Sequence, residues 1–193
     1  MLEACLLWLT HRLTGVLADG LDRRPRQRIY CANHCSHLDA LLLLAALPPE
    51  LRRDTRPVAA ADYWAKGRMR NFVTKRVFRA LLIDRLSQGL NPLCEVFGTL
   101  RRGGSIIYFP EGKRGPGGGL QPLKAGIYFL ARAFPQVDIV PVRIEGTDRI
   151  LPKGARLPRP ARCLLRFGQP LRWKGEEETA FLRQLRLAME EPA

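Results

Sequence analysis

Residues 28–39, Arg-Ile-Tyr-Cys-Ala-Asn-His-Cys-Ser-His-Leu-Asp, decide how the chain is read. Arg28-Ile29-Tyr30-Cys31-Ala32 is rich in β-branched and aromatic residues and predicts a short strand. The run Ala40 to Leu47 that follows is apolar, holds neither Gly nor Pro, and predicts a buried helix. A strand that ends in polar residues before a helix begins is where open α/β folds usually hold their chemistry. His34 and Asp39 are five apart, which is about 140° around an ideal helix and gives them no common face. They can meet only if His34 lies in the turn and Asp39 in the first turns of the helix. One ring nitrogen then donates to the carboxylate and the other is left as a base, the base-and-orienter half of a catalytic triad.

The composition is consistent with this site. A chain of 193 residues that is 46% hydrophobic has enough apolar surface for one well-buried α/β domain and too little length for two. A net charge of +14 and a pI near 10.5 point to an anionic partner: phospholipid surface, phosphorylated substrate or nucleic acid. The basic residues are spread along the chain without a terminal run, and they do not interleave with aromatics, which speaks against nucleic acid. Five cysteines, an odd number with no CxxC pair, read as reduced thiols in a cytosolic setting. The longest uninterrupted apolar run, Ala40 to Leu47, is eight residues, under half of the roughly 20 a bilayer crossing needs. The expectation is a cytoplasmic protein that meets lipid only peripherally, at the inner face of the membrane.

Outward from the deciding stretch, residues 1–17 set Leu2, Leu6, Leu9, Leu13 and Leu17 at helical intervals and predict an amphipathic helix, packed on the core or lying on a membrane. Gly15 to Gln27 reads as a turn-rich lead-in. Further strands are expected at Val58–Ala61, Ala80–Ile83, Ser105–Phe109, Asp138–Ile144 and Cys163–Phe167. Helices are expected at Tyr63–Thr74, capped by Asp62 and strongly basic, and at Asn91–Leu100, Leu123–Phe134 and Glu176–Met189. Pro141 inside a strand favours an edge or strand-end position. Strands alternating with helices over residues 1–193 predict a single layered α/β domain, its central sheet mostly parallel or mixed and flanked by helices.

Four motifs, in order, carry a resemblance. Asn33-His34-x4-Asp39, Leu82-Ile83-Asp84-Arg85, Phe109-Pro110-Glu111-Gly112-Lys113-Arg114 and Ile139-Val140-Pro141-Val142 resemble the four motifs of the glycerolipid acyltransferases, the 1-acylglycerol-3-phosphate acyltransferase family. The third is the most specific and matches five of six positions, with Lys113 where that family has a small hydroxyl. The resemblance implies an acyltransferase-like fold and no cofactor beyond the acyl donor, acyl-CoA or acyl-carrier protein. It implies a glycerophosphate or lysophospholipid acceptor and contact with an anionic membrane surface. His34 would be the general base and Asp39 its orienter. Asn33, Arg85, Glu111, Gly112, Lys113, Arg114 and Lys124 would bind substrate, the arginines through a fork onto phosphate.

Other chemistries fit less well. His34, Cys35, His37 and Asp39 could be drawn as a metal site, but no second ligand cluster follows. Gly103-Gly104-Ser105 lacks the closing glycine of a hydrolase elbow, and Gly112-Lys113 is not a phosphate-binding P-loop. The reading from another class is a basic, non-enzymatic module for anionic membrane or nucleic acid, with the His–Asp pair structural.

Overall fold

The computed structural model describes residues 2–61, 78–84, 93–115, 119–150 and 161–192. Its centre is the strand β2 (Arg28–Ala32), in which all five residues are buried. Burial on both faces is what a parallel strand between two helical layers requires, and it explains the near-continuous apolar run. β2 pairs in parallel with β5 (Ser105–Tyr108) on one side and with β6 (Asp138–Glu145) on the other. With β1 (Leu17–Asp19), β3 (Thr55–Ala60), β4 (Leu81–Ile83) and β7 (Leu164–Phe167) they form a seven-stranded sheet ordered β1-β7-β6-β2-β5-β3-β4. Among the described strands β6 and β7 pair antiparallel and the other pairs are parallel, so the sheet is mixed.

The pleat sends alternate residues to two layers. Ile29, Cys31, Ile106, Tyr108 and Ile139 pack with apolar side chains of α4 (Cys94–Arg101), α5 (Gly126–Ala133) and α7 (Glu178–Glu190). Tyr30, Ala32, Ile107, Val142 and Phe167 pack on the other face with Leu42, Leu43 and Leu44 of α2 (Asp39–Ala46) and Leu7 of α1 (Leu2–Thr14). Two short helices, α3 (Pro49–Arg52) and α6 (Thr147–Ile150), complete the described elements.

Three expectations are corrected. The N-terminal helix stops at Thr14, where Gly15 at φ 47° takes the left-handed conformation that ends a helix, and Leu17 belongs to β1 within the stretch read as a lead-in. Among its described side chains the buried face is Leu7, Thr10 and Thr14, while Leu9 and Trp8 stand outward. The threonine hydroxyls can be buried because each donates to a carbonyl four residues back. Pro141 lies in an interior strand. Its backbone faces β7 where the pairing is interrupted between Phe167 and Leu171, and Gly168 donates to its carbonyl over 2.9 Å. The missing proline N–H therefore falls opposite a gap in the ladder and leaves no strand acceptor unmet. The basic helix expected at Tyr63–Thr74 lies outside the described residues.

The closing helix α7 docks through Phe181, Leu185 and Met189, none more than 1% exposed. Phe181→Ala should cost about 3–5 kcal/mol, lowering the thermal midpoint by on the order of 10 °C. Circular dichroism melting checks this, and a shift below about 3 °C would mean the helix contributes little to the core.

Candidate active site

β2 and β5 both end at the same edge of the sheet, the edge at which a parallel sheet offers its loops to a ligand. The loop after β2 carries His34, and α2 begins at Asp39. His34 Nδ1 lies 2.9 Å from Asp39 Oδ2. The same oxygen accepts the backbone N–H of Cys35 at 2.7 Å and of Ser36 at 2.8 Å. Asp39 is fully buried and the His34 side chain is 21% exposed. A carboxylate that accepts from Nδ1 fixes the tautomer with its lone pair on Nε2, the arrangement of an oriented base. The ring is further held by stacking on Phe109, with centroids 4.3 Å apart and planes inclined by 26°.

The second motif loop reaches this one through Glu111. Its Oε1 accepts the His34 backbone N–H at 2.7 Å and its Oε2 accepts the Gln121 N–H at 2.9 Å, with the residue only 2% exposed. Burial raises the Glu111 pKa above the ordinary carboxylate value. The Gln121 and His34 amides and the His34 charge pull it back, and Asp39 pushes it further up. Both carboxylate oxygens are thus engaged with the backbone, and Glu111 ties two loops together. Gly115 N donates to His34 O at 2.8 Å and closes the same seam.

Asn33 clasps β6. Its Nδ2 donates to Ile144 O at 3.0 Å, and its Oδ1 accepts the Ile144 N–H at 2.6 Å. The side-chain amide continues the β2–β6 ladder for one rung after the backbone of β2 has turned away. Sequence reasoning expected substrate binding at Asn33, and the structure engages both polar ends of its side chain with Ile144.

The remaining expected residues divide. Gly112, at φ 68°, has a conformation that favours glycine. The Lys124 side chain lies across it, 3.0–3.1 Å from where a Cβ would stand. Lys124 N also donates to Pro110 O at 2.9 Å, so Lys124 joins this loop although it is distant in sequence. Lys113, Arg114 and Lys124 are exposed and carry three cations at the strand-end edge. Arg85 lies outside the described residues. A residue that sequence reasoning passed over is Arg143 of β6, which lines a cavity together with Asn33 and Cys35. Its neighbour in the strand, Val142, closes the fourth motif, and nothing in that motif drew attention to it.

The arrangement is an oriented base in a loop pinned by two buried carboxylates, with exposed cations beside it. Comparison with known proteins gives the family. The family model described as "Acyltransferase" matches residues 16–145. A chloroplastic 1-acyl-sn-glycerol-3-phosphate acyltransferase of Brassica napus is 30% identical over 141 residues, 70% of this chain and 39% of that protein. One from Cocos nucifera is 27% identical over 177 residues, 90% of this chain and 54% of that protein. The chain therefore spans about half the length of the curated relatives it matches, or less. The crystal structure of the 1-acyl-sn-glycerophosphate acyltransferase PlsC of Thermotoga maritima has the same fold. The TM-score is 0.74 over 97% of this chain and 78% of that one, at 23% identity.

Glu111→Gln keeps the size of the side chain but turns one acceptor into a donor facing a backbone N–H. About 1–3 kcal/mol of stability should be lost. The folded protein also holds the Glu111 proton more tightly than the unfolded chain does, so this group adds stability as pH falls through its raised pKa. Glu111→Gln should remove that contribution. Urea unfolding of both proteins over a pH series measures the difference, and curves that run parallel and superimpose would rule out the bridging role.

Proposed function

The chain belongs to the acyltransferase family, and from that premise we propose that it moves a fatty acyl group from an acyl thioester to a hydroxyl of a glycerophosphate or lysophospholipid acceptor. The donor is acyl-CoA or acyl-carrier protein. The names of the curated relatives, 1-acyl-sn-glycerol-3-phosphate acyltransferases, support the acceptor class. The observation that carries the mechanism is the 2.9 Å contact between His34 Nδ1 and the buried Asp39.

In this reading His34 Nε2 takes the proton of the acceptor hydroxyl as its oxygen attacks the thioester carbonyl. The tetrahedral species collapses with cleavage of the C–S bond. The departing thiolate takes the proton from the imidazolium, which leaves a free thiol, an ester and the neutral base. Asp39 stabilises the imidazolium and keeps the tautomer. Arg114, Lys113 and Lys124 hold phosphate at the strand-end edge, together with Arg85. Gly112 lets the ligand approach the main chain, and Glu111 and Asn33 act as positioning residues for the base loop.

No helix among the described residues is long and apolar enough to cross a membrane. We place contact with an anionic membrane at the surface, through cations and some apolar insertion. Trp8, Leu9 and Leu17, which are 64%, 43% and 62% exposed, offer the apolar part. A non-enzymatic basic module would leave the His34–Asp39 pair a structural role only, and consumption of an acyl thioester separates the two readings.

His34→Ala should give folded protein with turnover lower by about 10²–10⁴-fold, and Asp39→Ala should lower turnover as much while also costing about 1–3 kcal/mol of stability, because two loop amides lose their acceptor. An acyl-CoA assay with lysophosphatidic acid as acceptor measures this, and His34→Ala with more than half of wild-type turnover would refute the mechanism. For the membrane, each Lys or Arg near an anionic surface contributes about 1 kcal/mol and salt screens it. Co-sedimentation should therefore favour anionic over neutral vesicles and weaken with salt. Binding indifferent to both would remove the electrostatic component.

A further inference from the structure

β6 and β7 carry a like-charge pair. Their antiparallel register sets Arg143 directly opposite Arg166, which puts both side chains on one face of the sheet with Cβ atoms about 4.5–5.5 Å apart. Like charges so placed destabilise a sheet unless something lies between them. Two acids stand near in the same pattern: Asp19 of β1, in register with Arg166, and Glu145, two residues beyond Arg143. Among the described residues neither acid forms an ion pair with either arginine.

Arg143 is half-buried, and it lines the cavity walled by Asn33, Cys35, Gly119, Gly146 and Thr147, with Glu145 also at its wall. Among the described residues its guanidinium has no side-chain hydrogen bond. A guanidinium carries five N–H donors in a planar fork, and among the described residues Arg143 spends none of them on another group, so they are available to a ligand in the cavity. A phosphate oxygen pair fits that fork. The Asn33 amide is already engaged by Ile144, so the cavity's cationic wall is Arg143.

We propose that Arg143, assisted by Arg166, is a phosphate seat, and that the cavity beside the base loop takes a phosphate group of one of the two substrates. The proposal rests on the acyl-transfer reading above. His34 is not among the walls of the cavity, although Asn33 and Cys35 on either side of it are. The imidazole itself is not at the cavity wall, so the seat acts on substrate binding more than on the chemical step. Phosphate chemistry is common to a glycerophosphate acceptor and to the nucleotide end of an acyl-CoA donor, so the test must separate these sources.

Isothermal titration of CoA and, separately, of glycerol 3-phosphate into wild-type and Arg143→Ala protein reads the seat without turnover. Affinity for one of the two ligands should fall roughly 10- to 100-fold, as loss of a charge-assisted fork does. The ligand that weakens names the source of the phosphate. Arg143→Lys should recover part of the affinity, because it restores the charge but not the fork, and Arg166→Ala should weaken the same ligand by less. In steady-state assays the KM for that substrate should rise while kcat stays within about twofold. If Arg143→Ala fails to fold, Arg143→Lys and Arg143→Gln are compared in its place, with the glutamine variant expected to bind more weakly. Equal affinities in wild-type and variant proteins, or no binding of either ligand to wild type, overturn the seat. A wild-type protein that binds phosphate through Arg143 yet transfers no acyl group would overturn the proposed reaction and leave the seat standing.

Discussion

Two buried carboxylates accept backbone N–H groups that the segments after β2 and β5 cannot give to a strand. Asp39 takes those of Cys35 and Ser36, and Glu111 takes those of His34 and Gln121. A loop at the end of a buried parallel sheet has few partners for its amides, and each unmet one is costly. Carboxylates suit the task because each oxygen can accept more than one hydrogen bond. Asp39 uses a single oxygen for two amides and the imidazole together. The His34 ring is thus oriented by the same atom that folds its loop, so its geometry and the local fold are fixed together.

Arg28, at the opposite end of β2, is a cation managed in another way. It is 1% exposed and pairs with Asp22 over 2.8 Å, which holds the residue 20–27 loop against the start of the sheet. Ser105 Oγ accepts the Arg28 backbone N–H at 3.0 Å. The central strand is therefore anchored at both ends by side-chain groups, with Asn33 as the counterpart at the functional edge. Between these anchors it needs only apolar packing.

The sequence was most legible where a single physical cause acts locally. The strand at 28–32 has the bounds expected, because burial on both faces writes the apolar run Ile29-Tyr30-Cys31-Ala32 behind Arg28. The meeting of His34 with Asp39 was also readable, since it needs only the spacing and a helix start between them. What could not be read depends on distant partners. β1 is three exposed residues, Leu17–Asp19, and only its pairing with β7 makes it a strand. Pro141 was misplaced because the interruption it faces lies at 168–170. The roles of Asn33 and Glu111 depend on backbone groups 111 and 77 residues away. Arg143 gains meaning only from its register with Arg166. The acyltransferase resemblance bridged some of these separations, since it drew together segments whose proximity no local pattern reveals.

Those long separations set an order on the ribosome. The chain emerges at about 5–20 residues per second, so β2 appears several seconds before both of its neighbours can be available. His34 and Asp39 can find each other early, within one loop. The clasp of Asn33 on Ile144 must wait until β6 has left the exit tunnel. Until then the apolar residues of β2 and α2 have only part of the sheet to cover them. Such an interval of exposed surface is where chaperone capture competes with aggregation, and a nascent chain stalled before residue 145 should be a holdase client.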